Sequence, residues 1–410
     1  MPRELIDPRP PIPAPYRTPD RVAIQEMARD FAMNKVLPIA NELDPEHGLI
    51  PDSLRREMGQ LGFFGIMIPE KYDGLGLGVF EYALITEELS RAWMSVASII
   101  ARSAMAAQMP PELRADLLPK AARGEWLGAF AMSEPDAGSD IASIRMRAEQ
   151  VDGGWLLNGQ KMWCTFADQA DCLVVVARAT PYDPANRHKG IRQFAVHKEP
   201  GSFPAGISGN PIRKIGYHGW KTWDLSFDDV LIPANGLLRA DSEAPGAGAA
   251  DRDDTAGFRR TASGMLTPRI HTAARAIGLA RGALEDSIAY VQQRKQFDHF
   301  IGDFQAIRFK IATMAAEIEA CRALMYQVAA SADAGEKSDH QGAMVKYMAS
   351  EMAERVTSEA LQIHGGAGYT TDFAVERYWR DARLTKIFEG TSEIMLRMVS
   401  DALLPSTPFR

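Results

Sequence analysis

Met132-Ser-Glu-Pro-Asp-Ala-Gly-Ser-Asp-Ile141 is a polar turn carrying a glycine, and far down the chain stands Phe388-Glu-Gly-Thr-Ser-Glu393. Gly138 lets the first stretch lay its backbone close against a phosphate or a planar ring. The second stretch sets one carboxylate, Glu389, beside a flexible glycine near the end of a helical region. Together they predict a site built from two distant segments: a cradle for a large cofactor, and a single base that works against it.

The periodicity around these stretches divides the chain in three. Seven prolines fall between Met1 and Asp20, so residues 1–20 read as an extended arm. Residues 21–125 read as helical. Thr18-Pro19 is a helix start, and Ile24, Met27 and Phe31 follow at helical spacing. Leu54, Met58 and Leu61 form a second stripe, and Tyr82, Ile85 and Leu89 a third, separated by the glycine-broken loop 71–78. The period then changes. Asp152-Gly153-Gly154 signals a hairpin, 172–177 is a buried-strand run, and Trp223, Leu225 and Phe227 alternate with polar residues. We place an antiparallel β domain over 126–237, then a linker rich in Ala, Gly and acidic residues over 238–257. Residues 258–410 return to long helices and predict a four-helix bundle. Its stripes are Ile277, Leu284, Ile288 and Val291; Ile307, Ile311, Met314, Ile318, Cys321, Met325 and Val328; and Val345, Met348, Met352 and Val356. Gly365-Gly366 ends the third of these helices. The fold class is α+β, a helical domain followed by a β domain and a helical bundle.

At 410 residues, 46% hydrophobic and 24% charged, the chain can bury a substantial core. A net charge of −7 without a long basic run argues against nucleic-acid binding. No apolar run has membrane-spanning length. Neither a secretory nor a transit pattern opens the chain, so the cytoplasm is the expected location. The three cysteines lack metal-type spacing and read as free thiols, and the scattered histidines form no metal pair.

Taken in order, AMSEPDAGSD, KMWCT, RKQF, QIHGGAGY and FEGTSEI resemble the acyl-CoA dehydrogenase family over residues 20–404. The resemblance implies FAD, a CoA thioester substrate and a homotetramer built as a dimer of dimers. It also implies oxidation of a saturated acyl-CoA to the trans-2-enoyl-CoA in fatty acid metabolism, with an electron-transferring flavoprotein as electron acceptor. Glu389 matches the family's FEGT-type base. The family's other base position, before an arginine, is filled here by Pro268, which leaves Glu389 as the base. A free glutamate, with a pKa of ~4.3, is weak for this task, and closure of an acyl chain over it would raise it toward the useful ~6–7.

The resemblance assigns Phe130, Met132, Ser133 and Ser139 to the first flavin strand, with Ser139 also near the CoA arm. Glu134 and Asp140 read as turn and cap residues. Trp163 would cover one ring face and Thr165 would bond near N5, although core packing is the commoner fate of a strand tryptophan. Arg294, Gln296, Phe297 and Gln305 would reach the neighbouring subunit's FAD, or else form a charged helix end. Gln362, Gly365, Gly366 and Thr391 complete the cofactor set, and Arg269, Phe388 and Gly390 join Ser139 as substrate contacts. Leu266, Asp298 and Phe300 depart from the family's usual aspartate, glycine and proline. Trp93 and Met94 point to a short or branched acyl chain. Arg91 is either a partner for a distal carboxylate or, as we read it, structural. Two rival readings are a flavin monooxygenase of the same fold and a non-catalytic DNA-binding or scaffold member.

Overall fold

Thr18 caps the first helix as its position predicts, its hydroxyl accepting from the Arg21 amide at 3.2 Å. The computed structural model describes residues 11–238, 255, 258, 265–336 and 339–404. The linker expected over 238–257 falls almost wholly outside them, as does the first half of the arm. Within the second half, Ile12 is buried among the apolar residues of the C-terminal bundle, so this part of the arm is docked.

The N-terminal helices are α1 (Pro19–Phe31), α2 (Leu37–Leu43), α3 (Asp52–Gln60), α4 (Val79–Ala92), α5 (Met94–Ile99) and α6 (Pro111–Ala122). In the glycine-broken loop, a side chain at Gly74 would place Cβ 2.0 Å from the Ile68 carbonyl oxygen, so only glycine fits there. The Asp333 carboxylate then opens α4, accepting from the amides of Val79 (2.6 Å) and Phe80 (3.0 Å). From Phe80 to Ala92 every residue of α4 is buried, including four with charges. Glu87 accepts from Arg281 (2.6 Å) and Arg322 (2.9 Å), and Glu88 from Arg29 (2.9 Å) and Arg281 (3.1 Å). Arg91 is held by Glu285, Asp286 and the Tyr378 hydroxyl. Buried charges persist only when paired, so these pairs fix α4 against the bundle.

The middle region is a sheet of β1 (Gly128–Ala131), β2 (Arg147–Val151), β3 (Gly154–Thr165), β4 (Cys172–Arg178), β5 (Ile191–His197), β6 (Ile207–Pro211), β7 (Thr222–Pro233) and β8 (Leu237–Leu238). The order is β6-β7-β3-β2-β4-β5-β8, with β1 beside β4. The hairpin at Asp152-Gly153 joins β2 to β3, with Val151 opposite Gly154. Most neighbours are antiparallel. β1 instead runs parallel to β4, with Gly128 opposite Cys172, and β2 meets β4 in one parallel pair. All seven residues of β4 are buried, as a continuous apolar run requires when both faces are covered.

The C-terminal helices are α7 (Leu266–Val291), α8 (Gln305–Asp333), α9 (Asp339–His364), α10 (Val375–Thr385) and α11 (Ser392–Leu403), with a hairpin of β9 (Lys295–Gln296) and β10 (His299–Phe300) after α7. The predicted stripes of α7 and α8 face the core. Met348 does not: it is exposed, and Ala349 takes its place in the seam. The spacing 345–349–352–356 suits one helix face as well as 345–348–352–356, and the smaller side chain lets the helices approach. Among the described residues no helix is long and apolar enough to cross a membrane, and no cluster of potential metal ligands occurs. Cys164, Cys172 and Cys321 are free and buried.

Candidate active site

Between α10 and α11 the backbone enters the left-handed region at two successive residues, Glu389 (φ 55°) and Gly390 (φ 94°). The φ of 94° favours glycine at the second position, and a Cβ there would also press on the flexible end of Met395, 2.5 Å from Cε. Lys346 on α9 secures the turn, its Nζ donating to the Gly390 carbonyl at 2.6 Å. Burial pushes the Lys346 amine down to about 8. Thr391, expected at the cofactor, caps α11 by accepting from the Ile394 amide at 3.3 Å.

This turn aims Glu389 at α7. Arg275 Nη2 donates to Oε1 at 2.9 Å, and the Thr272 hydroxyl lies 3.0 Å from Oε2. The Glu389 side chain keeps 30% exposure, whereas Arg275 keeps 2%. The Glu389 amide makes no backbone hydrogen bond among the described residues. The Arg275 guanidinium stands 4.4 Å over the Phe388 ring, which meets Tyr217 edge-on. Neither Thr272 nor Arg275 was among the expected site residues. The available signal was their spacing from Pro268, since 268, 272 and 275 share one helix face. Pro268 itself lies in the first turn of α7, and its carbonyl oxygen is 3.1 Å from the Thr272 hydroxyl. Arg269 is buried 3.7 Å from Asp339, and burial lowers it.

The cradle segment is held from behind. The Glu134 carboxylate accepts from the amides of Arg145 (2.6 Å) and Met146 (3.0 Å) and from Lys161 Nζ (2.8 Å). Lys161 also donates to the Met132 carbonyl at 2.8 Å, and burial pushes its amine down to about 8. Asp140 accepts from Ser143 and pairs with Arg187. Asp140 stands at the cap position of the turn Ile141–Ser143 without a side-chain bond to its backbone, and Glu134 braces residues 145 and 146 instead of its own turn. Phe130, Met132 and Ser133 are half-buried, Gly138 and Ser139 are exposed, and a Cβ at Gly138 would meet nothing within 4 Å. Trp163 is not a core residue: its φ is 65° and its indole is 56% exposed. Thr165 pairs with the Thr222 hydroxyl at 2.9 Å. Cys164 turns the other way, with burial raising its thiol to about 12.

The remaining expected cofactor residues gather at one end of the bundle. Arg294 and Gln296 are exposed, and Phe297 is 86% exposed. Phe297 and Asp298, both at positive φ, form the two-residue turn between β9 and β10. An aspartate tolerates that conformation where glycine is usual, while Lys295 lies over the Phe300 ring at 4.6 Å. Gln305, Gln362, Gly365 and Gly366 are exposed nearby. Tyr290 joins the two halves of this group by stacking on His364 at 4.2 Å. Among the described residues no hydrogen bond or ring contact joins it to Trp163. Trp93 and Met94, read as limits on pocket size, are core residues. The Trp93 indole donates to Asp44, and Met94 packs in the bundle. Tyr82, which packs against His271, lines a mainly apolar cavity of about 410 Å³ with Phe64, Ile100 and Ser103.

Comparison with known proteins matches three family models, the N-terminal, middle and C-terminal domains of acyl-CoA dehydrogenase, to residues 18–125, 129–230 and 255–404. The chain is 36% identical to a 3-(aryl)acrylate reductase of Clostridium sporogenes over 95% of its length and 100% of the relative's. It is 36% identical to an acyl-CoA dehydrogenase of Bacillus subtilis over 95% of its length and 99% of the relative's. The solved butyryl-CoA dehydrogenase of Megasphaera elsdenii superposes with a TM-score of 0.84 at 33% identity, over 94% of this chain and 98% of that one.

Proposed function

The chain belongs to the acyl-CoA dehydrogenase family, and we propose that it desaturates an acyl-CoA thioester between Cα and Cβ with FAD as cofactor and Glu389 as the base. The family is FAD-dependent, and the residues present fit that cofactor. An exposed indole at Trp163 offers a face for a planar ring, and open space over Gly138 admits a phosphate arm beside the Ser133 and Ser139 hydroxyls. When bound, FAD supplies the hydride acceptor.

The protein's own part is positioning and proton transfer. Glu389 removes the α-proton, and its free amide hydrogen-bonds the thioester oxygen as enolate charge develops. Thr272 and Arg275 hold the carboxylate in one orientation, and Lys346 fixes the turn that carries it. Arg269, Phe388 and Gly390 border the substrate. Arg294, Gln296, Phe297 and Gln305, with Gln362, Gly365 and Gly366, meet a neighbouring subunit's cofactor in a homotetramer, which accounts for a fully solvated Phe297. An electron-transferring flavoprotein accepts the electrons. The same residues working backwards would reduce an enoyl thioester, a second reading favoured by the relative named as a 3-(aryl)acrylate reductase.

The observation that carries the reading is the Glu389 carboxylate, half-exposed on a strained turn and oriented by two side chains of α7. The test is anaerobic addition of acyl-CoAs to the FAD-loaded protein. Bleaching of the flavin's visible absorbance with formation of enoyl-CoA supports it, and an unchanged spectrum with every thioester refutes it.

A further inference from the structure

The surroundings of Glu389 carry more positive charge than one base needs. Arg275 spends a single nitrogen, Nη2, on both Thr272 and Glu389. Its Nε is buried without a hydrogen-bond partner, and Nη1 makes no hydrogen bond among the described residues. A guanidinium has five N–H donors, so this one enters the site with most of them unspent. Arg269 reaches the same carboxylate electrostatically, and its Nε and Nη1 are likewise buried without hydrogen bonds. Lys346, fully buried, adds a third cation. On the other side, the Tyr82 and His271 rings pack at a tilt with centroids 5.1 Å apart.

A plain hydrocarbon chain is a poor occupant of such a place. It would strip water from Arg275 and return nothing to the empty donors. A second anion would meet those donors, while Nη2 keeps its bond to Glu389.

We propose that the acyl group carries a distal carboxylate, as in a succinyl- or glutaryl-type thioester, and that Arg275 binds it. The inference rests on the reading of Glu389 as the α-proton base, and geometry sets the length. A base works within about 3–3.5 Å of the reacting carbon, and Arg275 lies 2.9 Å beyond Oε1. The guanidinium is therefore within about 6 Å of Cα, a span that two or three further carbons cover. Arg91, fully engaged by Glu285, Asp286 and Tyr378, is not the carboxylate partner.

The experiment uses FAD-loaded protein with glutaryl-CoA, methylsuccinyl-CoA, butyryl-CoA, octanoyl-CoA and the methyl ester of glutaryl-CoA. Binding is read by calorimetry and oxidation by anaerobic bleaching. The two diacid thioesters are expected to bind on the order of tenfold or more tighter than the ester and butyryl-CoA, and Arg275→Met to abolish that margin. Equal binding of the ester overturns the inference, as does a preference for octanoyl-CoA, which the apolar cavity beside Tyr82 would take. If Arg275→Met sheds its flavin, Arg275→Gln and the wild-type panel decide. Bleaching without the diacid preference removes the inference and keeps the dehydrogenation. Diacid preference without bleaching does the reverse.

Discussion

Replacing Lys161 by methionine tests how the cradle segment is held. Lys161 is completely buried, and its amine bonds both the Met132 carbonyl and the Glu134 carboxylate at 2.8 Å. Its fall from 10.5 to about 8 is driven by burial and opposed by Glu134. It corresponds to roughly 3 kcal/mol of preference for the neutral amine. Methionine relieves that cost but strands a buried carboxylate, a loss of about 3–5 kcal/mol. It also leaves the Met132 carbonyl unpaired, at about 1–3 kcal/mol. The net expectation is destabilisation of about 3 kcal/mol, read as a fall in melting temperature on the order of 6–12 °C. Lys161→Met/Glu134→Gln should recover part of it, because a neutral amide no longer needs a cation. The pH dependence has a defined sign. A lysine depressed by folding contributes stability that is present above 10.5 and is lost as pH falls through about 8. The wild-type advantage over Lys161→Met at high pH should therefore shrink across that window. The variant should also lose flavin on gel filtration. A Lys161→Met protein that melts within about 1 °C of wild type and keeps its flavin refutes the reasoning.

Trp163→Ala should leave the melting temperature of the flavin-free protein almost unchanged, since the indole is solvent-exposed. It should weaken FAD binding by on the order of tenfold or more, and unaltered affinity in a fluorescence titration would contradict the assigned contact. Gly390→Ala forces a side chain onto φ 94° against Met395. It should cost about 1–3 kcal/mol and slow bleaching, and a variant with wild-type melting and rate would show that the turn is not strained. Burial raises the Glu88 carboxyl, but Arg281 and Arg29 outweigh it and hold the group down at about 2. Its stabilising contribution is complete above 4.5 and lost as pH falls toward 2. Glu88→Gln should flatten the acid-unfolding curve across that interval, and an unchanged slope would argue against the network.

Much of the fold was written in local pattern. The stripes of α7 and α8, the Thr18 cap and the Asp152-Gly153 hairpin depend only on near neighbours in the chain, and each reads correctly. Met348 and Ala349 could not be ranked because helical spacing admits either. α4 hides Glu87, Glu88 and Arg91 in the interior, against the usual rule for charges, because the arginines and acids that neutralise them come from other helices. The site divides in the same way. Glu389 stood out in its motif. Arg275, 114 positions earlier, did not, because the pairing exists only once α7 packs against the turn. Lys161 and Glu134 are 27 positions apart and show the same limit. Trp93 and Met94 looked like pocket walls for their bulk, yet that bulk fills the cores.

The account turns on Glu389 as the group that takes the α-proton, and substituting glutamine there tests it with the smallest change of shape. Glu389→Gln should stay folded, yellow and able to bind thioester, while anaerobic bleaching slows by about 10²–10⁴-fold, the usual worth of a general base. Bleaching at the wild-type rate in that variant would place the base elsewhere and contradict the mechanism.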